Sequence, residues 1–584
     1  MKTTPTIKKR PPRTALHYML SFCALFLCTL SSAMAAAPKL SERITVQQTV
    51  EGDDWSLPSV RPLPNTGYYD SPHELQNEDI RALILTWKEL NPREGVYDFS
   101  RMDLALAQDF RIWLRLYSTD TLHVPAWVRK KYPDAPHMHH STHEGLTYPD
   151  LLSKNSFGFF IAPWHPGVNK EFLRFLDEFG KRQFLANPKL AFMYVPGAWR
   201  WNEWVTSFVR EMEQQGITPD AYVRWFEQLI DAYAAAGGAN VHKMVFTGYG
   251  RVDVAEGNQK FVFRINDLET GLNRMTDYAV RAGMGVRVGD LEWFNQFNVM
   301  PAWGAPFVTD SGLNYQRIDM SHPLRKDLRR VIGSENEAFG DPNMLRDTSD
   351  SYYVKMVTLK SLQLGMNWLN IQHYGYALNP DVLQYSRKVL GRTAANSPDA
   401  WVALRSFHDS VYVGSGDTIP GMPKAQAFIR RAKGEFRNWE RFLIQREVSP
   451  GGRTTPTDKN LRTAGTDRNN GPSFDAIRTD VATGNDSIYF QINDGFAGTV
   501  RQKTALKVTY LDNAAEWTLR YRTQSSAVEI VSPLIVGRGS GRWKTVTFHL
   551  ERMPKSGAYP RSMDFRLHST KGDLSTRFVR LVKR

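Results

Sequence analysis

Short apolar runs alternate with longer amphipathic ones through the first two-thirds of the chain. Runs of strand type open near Ala82, Arg111, Ala191, Lys243, Gly285, Arg330 and Trp368. Between them, apolar residues recur at helical spacing. Ser100 caps a stretch holding Met102, Leu104 and Leu106, and Phe172, Phe175, Leu176 and Phe179 share one face. Further helical stretches run over 220–236, closed by Gly237-Gly238, and over 268–282 and 352–364. Strands alternating with helices predict βαβ units and a parallel sheet. One more strand, expected between Ile44 and Tyr69, brings the count to eight. That predicts an α/β fold, a (β/α)8 TIM barrel. A doubly wound open sheet is the rival, but no glycine-rich dinucleotide turn follows the first strand.

The pattern changes after about Asn396. Trp401 to Gly414 and Gly434 to Gln445 read as partly helical, and Ser449 to Ser473 as a Gly-, Thr-, Pro- and Arg-rich linker. From Ile488 on, the runs IYFQI, ALKVTYL, WTLRYRT, VEIVSPLIV, WKTVTFHL, MDFRLHS and TRFVRLV, separated by turn residues, predict an all-β sandwich or jelly roll. The expected organisation is a signal peptide over 1–35, a catalytic barrel over 36–400, a helical or linker excursion over 401–480 and a sandwich over 481–584. All the expected barrel strands precede residue 380, so barrel and sandwich read as separable.

The amino terminus carries the signal expectation. Lys8, Lys9, Arg10 and Arg13 precede an apolar run from Ala15 to Leu30, and Ala33-Met34-Ala35 offers a small-x-small cleavage site. The expected location is periplasmic or secreted, with no membrane association after cleavage. Both cysteines, Cys23 and Cys28, fall inside that segment, so the mature chain is expected to hold no disulfide, thiolate metal site or cysteine nucleophile. Residues 1–35 hold five basic residues and no acid, so their removal lowers the formal charge from +14 to +9. The remaining charge is scattered, which fits an acidic polysaccharide better than a nucleic acid. Nothing in the sequence fixes an oligomeric state.

Candidate chemistry gathers at the strand ends. The segment YVPGAWRWNEW (Tyr194–Trp204) runs from a strand into Asn202-Glu203, with Trp199, Trp201 and Trp204 around the pair. A carboxyl beside an amide and between indoles suits glycosidic cleavage: the acid protonates a leaving oxygen, the amide holds a hydroxyl, and the indoles stack on sugar rings. A plain strand-end glutamate among core tryptophans is the competing reading. A second carboxylate cluster, Glu335-Asn336-Glu337, follows the run that opens at Arg330. The other strand ends carry Trp87, Tyr117, Tyr249, Asp290 with Glu292-Trp293, and His373-Tyr374. The loop histidines between His137 and His143 match no zinc spacing, so neither a metal nor another cofactor is expected.

The segment TWKELNPREGVYDFSRMD (Thr86–Asp103), then Pro125-Ala126-Trp127, then Asn202-Glu203, resembles the β-galactosidase-type TIM-barrel enzymes of glycoside hydrolase clan A. The final domain resembles the sandwich modules appended to polysaccharide-degrading enzymes. The resemblance implies hydrolysis of an oligo- or polysaccharide by a retaining mechanism, with an acid/base glutamate after the fourth strand and a nucleophile after the seventh. Glu203 takes the first role. Glu335 takes the second, because Arg330–Gly333 is the strand-like run there, and Glu337 is the alternative. The flanking residues depart from the family's usual pattern at that point. Asn202, Trp87, Trp127, Trp201, Tyr249, Trp293, His373 and Tyr374 are the expected substrate contacts. A polysaccharide lyase, an inverting hydrolase and a non-catalytic carbohydrate-binding barrel are the competing functional readings.

Overall fold

The computed structural model describes residues 44–69, 80–139, 159–195, 215–247, 254–255, 262–263, 274–288, 307–310, 315–318, 324, 327–334, 350–371, 373–404, 438–446, 448, 455–456, 476–498 and 502–584. The expected eight strands form one parallel sheet. Its order is Gly67–Tyr69, Trp368–Asn370, Ile332–Ser334, Gly285–Val288, Met244–Phe246, Leu190–Val195, Arg111–Tyr117 and Ile80–Thr86. Along the chain these are strands one, eight, seven, six, five, four, three and two. The first strand returns beside the eighth, through Trp368↔Gly67 and Asn370↔Tyr69, and this pairing curls the sheet into a TIM barrel. The remaining seam lies between strands one and two. The first strand falls inside the window that the sequence left for it.

Pairing register shows which residues fill the barrel. Ala82↔Trp113, Trp113↔Phe192, Tyr194↔Val245, Gly285↔Val245, Arg287↔Gly333 and Gly333↔Trp368 share one side of the sheet. Tyr69, Ile80, Trp113, Ala191, Phe192, Tyr194, Val245, Val331 and Trp368 form a single buried cluster there. The rings meet mostly edge-on or tilted, with Tyr69–Phe192 at 5.2 Å, Phe192–Trp368 at 5.2 Å and Trp113–Tyr194 at 5.0 Å. The interior is a packed core and not a pore. Glycine at 285 is what lets strands six and seven lie together: a Cβ there would sit 2.2 Å from the Val331 carbonyl oxygen.

The all-β region is a two-sheet sandwich, as expected, and it recruits more of the chain than residues 481–584. One sheet runs Thr45–Glu51, Trp543–Leu550, Thr504–Leu511, Ser575–Lys583, Asp399–Ala403, Trp439–Arg441. The other runs Leu443–Arg446, Ser487–Ile492, Phe565–Lys571, Glu516–Thr523, Ser526–Val531. Trp517 of one sheet meets Phe548 and Tyr510 of the other in the shared core. The described parts of the two stretches read as partly helical, 401–414 and 434–445, are strands. The chain changes sheets at Phe442, whose φ of 62° is rare for a bulky residue. Its carbonyl oxygen accepts from the Asn493 amide at 2.9 Å, which holds the corner.

The first sheet packs on two late helices of the barrel, Asp350–Gln363 and Pro380–Val389. Val354, Val357, Leu362, Val382, Tyr385 and Val389 share a buried cluster with Trp401, Trp439 and Phe578. The link between Thr45–Glu51 and the first barrel strand threads this junction. Trp55 lies 4.8 Å from the Phe578 ring and 5.4 Å from that of Tyr385. Asp53 accepts from Lys355 at 2.6 Å and from Arg577 at 2.9 Å. Burial alone would raise the Asp53 carboxyl, but Arg577 and Lys355 outweigh it and hold the group below the usual carboxylate range. Asp399 accepts from Arg580 at 2.7 Å, and Asp54 pairs with Lys507.

Residues 1–43, including the expected signal segment, lie outside the described residues. Among the described residues, no helix is long and apolar enough to cross a membrane, and no cluster of His, Cys, Asp and Glu is placed to hold a metal ion.

Candidate active site

In a parallel barrel the C-terminal strand ends form one mouth. The fourth strand ends at Val195 and the seventh at Ser334. Glu203 follows the first by eight positions, and Glu335 is the residue after the second. Glu203, Glu335 and Glu337 lie outside the described residues, as do Trp201, Asn202, Tyr249 and Trp293. The backbone of His373 and Tyr374 opens the helix His373–Leu378, three residues past the eighth strand.

Trp87 and Trp127 are placed in full. Trp87 is corrected: it is a core residue and not a sugar platform. It is 1% exposed, packs on Phe172 at 5.0 Å, and donates its indole N–H to Asn91 Oδ1 at 3.3 Å. Register explains this. Residues 82, 84 and 86 pair with the inward-facing 113, 115 and 117, so residue 87 turns toward the helices. The Thr86–Glu89 capping box then starts a one-turn helix, and Asn91 Nδ2 donates to the carbonyls of Arg93 and Val96 at 2.9 and 2.8 Å. Trp127 is half-buried and donates to the Asn91 carbonyl at 3.0 Å, with Lys131 Nζ 5.8 Å from the ring centre. The Thr86–Asp103 segment is thus a self-bonded wall of the mouth.

The structure also places an inner layer that the sequence reading missed. Tyr194 donates to the Tyr69 hydroxyl at 2.8 Å, and Tyr69 donates to the Ser334 carbonyl at 2.9 Å. Both tyrosines and Ser334 are buried. The Arg115 guanidinium lies 5.6 Å from the Tyr194 ring centre, and that of Arg287 lies 5.5 Å from it. Arg287 is 2% exposed. Beside Arg115, Tyr117 meets His123 at a tilt with ring centres 5.0 Å apart, and the His123 imidazole is pushed below its ordinary range by burial. The available signal was a charged residue at an inward position of an apolar strand, in RIWLRLY and again in GVRV. Two guanidinium groups near the mouth favour the ionised form of any carboxyl beside them.

An eight-stranded parallel barrel with this polar layer under its mouth has the architecture of the TIM-barrel enzymes. The family model described as Beta-galactosidase matches residues 72–146, which span the second and third strands and the self-bonded wall. Over 69 residues the chain is 39% identical to Beta-galactosidase LacA of Lactobacillus acidophilus, and likewise to Beta-galactosidase LacZ of its strain ATCC 700396 / NCK56 / N2 / NCFM. Those matches take in 11% of this chain and 10% of each relative, so they span about a tenth of the relatives' length. The resemblance to β-galactosidase-type glycoside hydrolases is thereby shown over that stretch. Endo-glycoceramidase II from Rhodococcus sp., in its cellobiose-like isofagomine complex, aligns with 86% of this chain and 99% of its own at 11% identity, with a TM-score of 0.17. Its Ganglioside GM3 complex gives 84%, 99%, 11% and 0.19. Superpositions at that level carry no argument; the fold rests on the chain's own strand pairing.

Proposed function

We propose that the chain is an exported glycoside hydrolase, periplasmic or secreted, that cleaves an oligo- or polysaccharide by retaining double displacement. The observation that carries this reading is the strand count. The segment that matches the β-galactosidase family supplies strands two and three, and in the same barrel Glu203 and Glu335 follow strands four and seven. Glu203 is the general acid/base and Glu335 the nucleophile. Val331 lines the barrel, and Gly333 shares its side of the strand. Continuing that alternation puts Glu335 and Glu337 on the same side, and Glu335 is preferred because it directly follows Ser334, the last residue of the strand. Arg287 pairs in register with Gly333 on the adjacent strand, and its positive charge favours the ionised carboxylate that attack requires. Asn202, Trp201, Trp127, Tyr249, Trp293, His373 and Tyr374 supply hydroxyl contacts and stacking faces.

Glu203→Gln is expected to lower turnover of an unactivated glycoside about 10²–10⁴-fold. Glu335→Gly is expected to abolish hydrolysis and regain glycosyl transfer to azide, with inverted configuration in the azide product. Rescue of Glu337→Gly instead moves the nucleophile two positions on. Rescue of neither, with both inactive, removes the retaining mechanism. Export is tested by the mass of the mature protein from its host, expected to begin near Ala36; a retained Met1 refutes it.

A further inference from the structure

The ends of strands four and seven are joined by side chains inside the barrel. Tyr194, one residue before the end of strand four, donates its hydroxyl to that of Tyr69 at 2.8 Å. Tyr69, the last residue of strand one, donates to the Ser334 carbonyl at 2.9 Å. Ser334 ends strand seven, and its carbonyl belongs to the peptide that leads into residue 335. No two of these strands are neighbours: strand eight stands between one and seven, and strands five and six between seven and four. The two bonds therefore cross the lumen and are not rungs of the sheet. We propose that Tyr69 is a positioning residue for the nucleophile: its hydroxyl, oriented by Tyr194, fixes the peptide that carries Glu335. This rests on the assignment of Glu335 as the nucleophile.

Successive side chains of a strand face opposite ways, so Tyr69 joins the barrel interior while Tyr68 joins the core under the helices. Tyr68 shares a hydrogen bond with Ser386 at 2.5 Å. The Tyr69 ring meets Trp113, Phe192 and Tyr194 edge-on, with centres 5.4, 5.2 and 6.4 Å apart, and these contacts set its orientation. Gly333 keeps the path of the hydroxyl open, since a Cβ there would already lie 3.8 Å from it and a longer side chain would compete for its place. A carbonyl only accepts, so the one proton of Tyr69 goes to Ser334 and its oxygen takes that of Tyr194. Retention needs the two carboxyls roughly 5 Å apart, and a misplacement of about 1 Å can cost about 10²-fold in rate. The tie acts most directly on Glu335, the next residue along; Glu203 lies eight positions beyond Val195.

The test treats the full-length protein with the dinitrophenyl glycoside of a deoxyfluoro-β-galactose. A retaining nucleophile attacks its anomeric carbon, dinitrophenolate leaves, and the glycosyl ester persists, so mass spectrometry locates the label. Tyr69→Phe keeps the ring and removes only the hydroxyl. At saturating probe it is expected to label at least about tenfold more slowly than wild type, with the half-saturating concentration within about threefold. Tyr68→Phe, which removes the buried hydroxyl on the other face of the same strand, should lower the thermal midpoint and leave the labelling rate unchanged. Tyr194→Phe should slow labelling less than Tyr69→Phe does, and the double variant should be no slower than Tyr69→Phe, because the two hydroxyls act in series. Equal rates of labelling at Glu335 in wild type and Tyr69→Phe overturn the proposal and leave the glycosidase reading standing. Equal slowing in Tyr68→Phe also overturns it, by tracing the loss to a loosened strand. If Tyr69→Phe does not fold, an unchanged rate in Tyr194→Phe overturns it. A wild type labelled at another residue, or unlabelled while it hydrolyses dinitrophenyl galactoside, removes Glu335 as the nucleophile, and the proposal falls with that assignment.

Discussion

The junction of barrel and sandwich and the closed end of the barrel both concentrate arginine and lysine, and the described contacts of those cations differ. At the junction, Lys355 and Arg577 converge on Asp53, Arg580 on Asp399, and Lys507 on Asp54. At the closed end, Lys243 and Arg392 reach backbone carbonyls, and Arg111 reaches an amide oxygen. Buried cations with matched carboxylates fix one arrangement of two domains. Cations that donate to carbonyl and amide oxygens tie neighbouring strand starts of one domain together.

The largest effect is expected at the junction. Asp53→Asn leaves Lys355 and Arg577 buried without their shared carboxylate, and unfolding free energy near pH 7 should fall by about 3–5 kcal/mol. The sign with pH follows from the lowered carboxyl. The ion pairs contribute fully above the ordinary carboxyl value of 3.8 and are lost as pH falls below it, through the folded-state value. Urea unfolding at pH 7 and below pH 4 should therefore show wild type and variant converging in acid. Parallel curves would mean that Asp53 is not the carboxylate that holds the junction.

A smaller effect is expected at the closed end. Lys243 titrates near 8 in the fold against an ordinary 10.5, so over that interval the unfolded chain holds a proton that the native state does not. Its contribution to stability rises with pH there. Comparing urea midpoints at pH 8 and pH 10 should show a rise in the wild type that Lys243→Gln lacks, since the amide has no proton to release over that interval while it can still donate to one carbonyl. Equal slopes in the two proteins would mean that Lys243 is not the group that titrates there.

The contrast also explains what the sequence made readable. Seven barrel strands were evident because each is a short apolar run between helical stretches. The strand Thr45–Glu51, TVQQTVE, was not, since its polar outer face gives no apolar run and its partner lies near residue 549. Asp399–Ala403 resembled a helix start because DAWVA is buried at every position and shows no alternation. These two strands pair with Trp543–Leu550 and Ser575–Lys583, so a cut at residue 480 would take pairing partners from both. Trp87 was misassigned because a strand-end tryptophan reads the same whether it faces the lumen or the helices; only register decides. Arg115 and Arg287 passed unnoticed because a lone charge in a strand usually marks a solvent face.

The pairing of Thr45 with His549 has a consequence for how the chain is made. At about 5–20 residues per second, ribosomal synthesis needs roughly half a minute to two minutes to deliver the partner strand. Until then Thr45–Glu51 has an open edge, and the linker through Asp53 and Trp55 has nothing to dock on. The first described strand is therefore among the last to find its place. Closing a loop of that length makes final assembly slow relative to the local hairpins of the sandwich. A newborn chain passes through a stage in which the barrel strands are complete and the clasp around them is still open, and protease or chaperone would find it there.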